Sequence, residues 1–270
     1  MPFKSLTPND PTGVLRRVAL MGPPNSWKSA TLVSDTPTPR RIVSIPGEKG
    51  WETLRQAPDT IVDVWELGDL SAASPHQVVR EIDEHVNRVI SDIVAKKDPT
   101  VFLGLDGLHK LYGWIYKQER LNMESWPSAA KMGADTLDLR AYQYAHDGFQ
   151  SRLTKWLSSR VPYIWVTFWE GASKDDPADS KSASHIFPDL PGQAARWIVG
   201  EFSAVLYHDV ARVPIMVGGK PVVKAEWVLR PEGKIWGVGI KGAPALMATL
   251  PARVPISFKG LAKLLGEVEG

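Results

Sequence analysis

Between Arg17 and Trp169, short apolar runs alternate with longer stretches of helical spacing, and this rhythm limits the chain to few folds. RVALM (17–21), RIVSI (41–45), TIVDVWEL (60–67), TVFLGL (100–105) and VPYIWVTFW (161–169) read as strands. Between them, Pro75 to Ala95 carries Val78, Val79, Ile82, Val86, Val89, Ile90 and Ile93 at the three-and-four spacing of a helix with one buried face. Lys28 to Val33 begins a helix. Leu108 to Tyr116 and Leu139 to Ser159 read as helices, with a loop from Asn122 to Asp138. Strands that alternate with helices need crossover connections, and so form a mostly parallel sheet covered on both faces. After the polar stretch from Gly171 to Pro188 the rhythm changes. Ala204 to His208, Val213 to Val217, Pro221 to Leu229 and Ile235 to Ile240 read as short strands. Turns at Gly218-Gly219 and Pro231-Glu232-Gly233 join the last three into an antiparallel meander. Phe258 to Leu265 closes the chain as a helix. The expectation is an α/β domain over residues 15–270, preceded by a tail over residues 1–14.

Composition removes several chemistries. The chain of 270 residues has no cysteine, which excludes disulfides, thiolate metal sites and cysteine nucleophiles. Its six histidines show no paired metal spacing, and no G-x-S-x-G elbow is present. No apolar run approaches the roughly 20 residues of a membrane helix, and the polar, proline-rich start does not read as a signal peptide. The expectation is a cytoplasmic protein without a membrane partner. The formal net charge of +2 hides an asymmetry: Ala211 to Lys263 has nine Lys or Arg against Glu226 and Glu232. That basic stretch faces either a polyanion or solvent.

The motif that carries chemistry is MGPPNSWKSA, residues 21–30. Phosphate-binding loops read G-x-x-x-x-G-K-[ST] and join a strand to a helix, so that backbone N–H groups cradle phosphates. Gly22, Lys28 and Ser29 are in register, but Trp27 occupies the position of the second glycine. On this reading Gly22, Pro23, Pro24, Asn25, Ser26, Trp27, Lys28, Ser29 and Ala30 wrap the phosphates of ATP, and Ser29 binds Mg2+. Asp106, at the end of TVFLGL, is either a second metal residue or a helix cap. Glu48, in IPGEKGWETL (45–54), is either the base that takes a proton from attacking water or a turn glutamate on the surface.

The order GPPNSWKS, IPGEKGWETL, VFLGLD, VTFWEG, LPGQAARWIVGEFSAVLYHDV and a hairpin ending IKG resembles phage-encoded RecA-like P-loop nucleotide-binding proteins, the single-domain type linked to recombination and single-strand annealing. The resemblance covers residues 15 to 265. It implies a RecA-like fold and slow ATP hydrolysis with Mg2+ on single-stranded DNA. It also implies a homo-oligomer, a single-strand-binding protein as partner, and the host cytoplasm as location. It gives Thr167 the place of a polar residue sensing the γ-phosphate, and Lys241 the place of a basic residue reaching a neighbouring subunit's nucleotide. Its DNA-binding loops correspond to Tyr116–Leu139 and Gly171–Leu190. Neither is basic; Trp126, His185 and Phe187 there are base-stacking candidates or loop anchors. Trp27 leaves three outcomes open: an indole turned outward over a working loop, one covering the nucleotide or packing on a partner subunit, or one plugging the phosphate pocket. A plugged pocket makes the chain a structural or accessory protein that kept the fold without the activity. A third reading is a packaging or replication accessory ATPase.

Overall fold

The computed structural model describes the backbone of residues 13–65, 72–173, 185–191, 193–217, 220–230, 235, 238–241 and 249–267. The side chains of 130, 172–173, 185–187, 193, 211–217 and 220–224 are not included. A 3-10 turn (Val14–Arg16) leads into β1 (Arg17–Gly22). There follow α1 (Lys28–Thr31), β2 (Arg40–Ser44), α2 (Trp51–Leu54), β3 (Thr60–Asp63), α3 (Pro75–Val94), β4 (Phe102–Asp106), α4 (Leu108–Glu124), α5 (Ala134–Leu157) and β5 (Tyr163–Ser173). The remaining described elements are β6 (His185–Pro188), α6 (Gln193–Glu201), β7 (Ala204–Val217), β8 (Lys220–Val228), β9 (Gly239–Ile240), β10 (Arg253–Pro255) and α7 (Phe258–Leu264).

The sheet order is β10-β8-β7-β1-β5-β4-β2-β3. The six strands from β7 to β3 are parallel, and β8 and β10 extend the edge antiparallel. The parallel core is the mostly parallel sheet flanked by helices that the strand–helix rhythm requires. Alternate residues of each strand serve opposite faces. Ala19, Leu103, Leu105, Ile164 and Val166 meet the face covered by α3 to α6. Val18, Leu20, Ile42, Phe102 and Trp165 meet the other, with Leu54 of α2 and Phe258 and Leu261 of α7. α3 starts where local chemistry dictates: Ser74 caps it by accepting from Gln77 N (3.2 Å), with Pro75 in the first turn.

The sequence reading needs correction in several places. The helix from Leu108 does not stop at Tyr116 but runs to Glu124, and α5 begins at Ala134, so Asn122–Asp138 is a helical hairpin with a short 3-10 turn. KQERLNME (117–124) is made of good helix formers. Arg120 pairs with Glu124 at 2.9 Å, and Tyr116 stacks on Tyr142 of α5 at 4.3 Å. Ala204–His208 and Val213–Val217 are one strand, β7. The meander is also rearranged. β9 pairs with the start of β7 (Ala204 with Ile240), and β10 takes the place beside β8 (Arg253 with Val228). Arg253 fastens this edge to Asp209 at 2.6 Å. The helix begun at Lys28 completes a single turn, since the following SDTPTP cannot continue it. Residues 1–12 of the expected tail, residues 174–184 of the polar stretch and both expected turns, Gly218-Gly219 and Pro231–Gly233, lie outside the described residues.

Among the described residues, no helix is long and apolar enough to cross a membrane.

Candidate functional site

Open parallel sheets bind ligands in the crevice beyond the carboxyl ends of their strands. Here that edge opens into a cavity of about 580 Å3 lined by Asn25 to Ala30, Gly47 to Gly50, Thr53, Asp106, Lys110, Thr167 and Trp169. Four chain segments meet there: those following β1 and β2, the end of β4, and the middle of β5, where Thr167 and Trp169 lie level with the end of β1. Lys28, Ser29, Glu48, Asp106 and Thr167 are therefore brought together, while Lys241 is not. Lys241 N donates to Ser203 O at the amino ends of the parallel strands, opposite the cavity, and its ammonium contacts Gly200 O.

The loop after β1 is shaped by two left-handed residues, Asn25 (φ 61°) and Trp27 (φ 62°). Such reversals curl the backbone into a concavity of N–H groups, a shape that holds anions. This accounts for the glycine usually found before the lysine: the position needs positive φ, which glycine adopts freely and a tryptophan adopts at a cost of about 1 kcal/mol or more. Trp27 is 55% exposed and lines the cavity wall rather than being buried in the loop. Gly22, at the head of the loop, is required for space, since a Cβ there would stand 2.7 Å from His208 O.

Lys28 is 6% exposed. Its ammonium donates to Gly22 O (3.0 Å), Pro23 O (2.6 Å) and Ser26 Oγ (3.2 Å), so its three protons point into the loop. Burial pushes its pKa down to about 8, although Asp106, Glu48 and Glu170 pull it upward. Asp106 is 1% exposed, and burial raises its pKa, opposed by hydrogen bonds from Thr167 and Ser29. Thr167 Oγ1 donates to Asp106 Oδ1 at 2.6 Å and Ser29 Oγ donates to the same oxygen at 2.9 Å. Asp106 Oδ2 has no hydrogen-bond partner. A buried acceptor left bare costs about 1–3 kcal/mol, and a cation beside it removes that cost. Asp106 does not cap α4, whose N-cap, Gly107, has no side-chain cap bond. Thr167 Oγ1 also accepts from Gly107 N at 2.8 Å, so its hydroxyl holds both Asp106 and the start of α4.

Glu48 is not a surface glutamate. Its side chain is 11% exposed, and Oε1 lies 3.2 Å from His109 Nε2, without the alignment of a hydrogen bond. His109 in turn stacks on Trp169 at 4.5 Å between ring centres, and Lys110 Nζ stands 4.2 Å above the same indole. His109 and Lys110 are site residues that sequence reasoning missed, and Gly50 and Trp169, which lie in the resembling segments PGEKGWETL and VTFWEG, were given no place in the site. GLHKL offers no motif, and nothing in the spacing of His109 marks it. For Gly50, the signal is the glycine in PGEKGWE: a Cβ there would sit 3.1 Å from Ser29 Oγ and 3.6 Å from Asp106 Oδ2. Of the stacking candidates, Trp126 is a loop anchor, packed with Met123, Leu137 and Ala141 and edge-on to Tyr144 at 6.2 Å. The side chains of His185 and Phe187 lie outside the described residues.

Among the described residues, no group of three or more His, Asp or Glu forms a cage for a metal. Magnesium is commonly held without one, by one or two protein oxygens together with substrate phosphates. A comparison with protein-family models and with curated proteins finds no match for this chain.

Proposed function

We propose that the chain binds a nucleoside triphosphate, with ATP the expected one, together with Mg2+, and hydrolyses it slowly. One observation carries the reading: Lys28, Ser29, Glu48, Asp106 and Thr167, drawn from four separate segments, line a single cavity at the carboxyl edge of a parallel sheet. The residues also fit the ion. Ser29 Oγ and the bare Asp106 Oδ2 would hold it, and Gly50 leaves room beside both. When bound there, Mg2+ would neutralise charge on the β- and γ-phosphates.

The protein's own groups supply the rest. The curled loop offers N–H groups to the phosphates, and Lys28 adds its positive charge to theirs. Binding requires the Lys28 ammonium to exchange the carbonyls of Gly22 and Pro23 for phosphate oxygens. Glu48, facing the cavity, takes a proton as water attacks the γ-phosphorus and the bond to the ADP oxygen breaks, giving ADP and phosphate. Thr167 keeps Asp106 in place throughout. The exposed Trp27 favours a working loop over the inactive, fold-retaining alternative.

Titration of ATP with and without Mg2+, with Lys28→Ala as control, tests the binding. Absence of affinity in the wild type at millimolar ATP would overturn it. Glu48→Gln should keep binding and lose turnover by about 10²-fold or more; equal turnover would remove Glu48 as the base. The wider reading draws on the resemblance: a RecA-like, phage-encoded protein acting as a homo-oligomer on single-stranded DNA beside a single-strand-binding protein. Its test is turnover with single-stranded and duplex DNA, and no stimulation by either would sink it. Lys241, distant from its own chain's cavity, serves a neighbour on this reading. Lys241→Ala should then lower turnover without changing ATP affinity, and a fully active monomer would exclude that role.

A further inference from the structure

We infer that His109 is a positioning residue for Glu48, holding its carboxylate toward the cavity. The inference rests on the reading of Glu48 as the base. Glu48 lines the cavity, whereas His109 is not among its lining residues and is buried against Trp169, which is. His109 is 8% exposed, and its Nε2 is 3.2 Å from Glu48 Oε1. Neither ring nitrogen makes a hydrogen bond. A histidine buried with both nitrogens unpaired is costly, and the carboxylate beside it among the described residues is that of Glu48. The 3.2 Å separation is within hydrogen-bonding range, and alignment is what the contact lacks.

Two walls limit where that pair can move. The His109 ring lies on Trp169, at 4.5 Å and 28° between planes, so it has little freedom away from Glu48. On the other side, Glu48 passes over Gly107, where a Cβ would stand 2.2 Å from Glu48 Cγ and 2.9 Å from Oε1. The absence of a side chain at Gly107 is what admits Glu48 to this position. A carboxylate confined between a donor and a glycine face gives up little freedom when water must be deprotonated, which is how positioning accelerates such a step. The donor role requires a proton on Nε2, the tautomer that leaves Nδ1 as a bare acceptor.

Two variants separate donation from packing. His109→Phe keeps a ring against Trp169 and removes the donor; His109→Gln keeps an N–H donor near the place of Nε2 and removes the ring. The expectation is that His109→Phe lowers kcat for ATP about tenfold or more with ATP affinity unchanged within about twofold, and that His109→Gln restores most of kcat. Wild-type kcat in His109→Phe, or equal losses in both variants, would overturn the inference. A second readout needs no turnover: the ring nitrogen resonances of His109, read by 15N NMR on the whole chain, should show Nε2 protonated and should shift in Glu48→Gln. Unchanged resonances would overturn the inference. A wild type without turnover, by contrast, would count against the proposed hydrolysis, with the Glu48–His109 contact still judged by the NMR result.

Discussion

Gly107→Ala, the addition of one methyl group, tests how Glu48 is placed. Gly107 has φ +92° and ψ 39° at the start of α4, a conformation that costs alanine about 1–2 kcal/mol. The new Cβ would stand 2.2 Å from Glu48 Cγ, a separation no packing tolerates. The backbone is pinned by Gly107 N donating to Thr167 and Gly107 O accepting from Lys110 N (2.8 Å each), so the carboxylate side chain is the part that yields. Strain and displacement together should destabilise the chain by about 1–3 kcal/mol, or about 3–10 °C in Tm for a domain of this size. On the proposed reading of Glu48 as the base, its displacement should cost about 10²-fold in ATP turnover, with ATP affinity retained, because Lys28, Ser29 and Asp106 are untouched. Gly113→Ala is the control in the same helix. A Cβ there meets nothing within 4 Å, so the substitution should add about 1 kcal/mol through helix propensity. Thermal unfolding and steady-state turnover of both variants decide the matter. Wild-type melting and wild-type turnover in Gly107→Ala would refute the geometry of Glu48.

Further expectations follow from the buried groups. Asp106→Asn removes a carboxyl whose pKa burial raises, and should abolish the Mg2+ dependence of ATP binding while leaving the fold intact; Mg2+-dependent binding in the variant would exclude Asp106 from the metal site. The folded state holds the Asp106 proton more tightly than the unfolded chain, so this group's contribution falls as pH rises from the ordinary carboxylate range of about 4. Asp106→Asn should lack that slope in urea unfolding. His208 has the opposite sign. Burial, with Lys28 nearby, pushes its pKa down to about 4, so its contribution is present above about 6.5 and is lost as pH falls toward 4. About 2 kcal/mol should be gone by about pH 5, and a His208→Gln variant with the same acid sensitivity as wild type would assign the loss elsewhere. Trp27→Gly should hold ATP affinity within a few fold, since the ring is exposed and φ 62° suits glycine; loss of binding would mean that the indole covers the nucleotide.

The sequence by itself determined what depends on neighbouring residues. The buried face of α3 follows from the spacing of Val78, Val79, Ile82, Val86, Val89 and Ile93, because a helix brings every third and fourth residue to one side. The strand, loop and helix around Lys28 follow from RVALMG and from a loop that breaks both periods. Helix ends in polar sequence were less legible: KQERLNME has helix-forming residues but no apolar stripe to mark it, and Met123 finds its packing partners, Leu137 and Ala141, only in α5. The site belongs to the tertiary structure. Ser29 and Thr167 reach Asp106 across 77 and 61 residues, and they do so because β5 lies between β1 and β4. His109 carries no motif, and only its stack on Trp169, between α4 and β5, sets it beside Glu48. The exposure of Trp27 was likewise open in the sequence, because it depends on how the loop folds beside β7, which Gly22 approaches at His208.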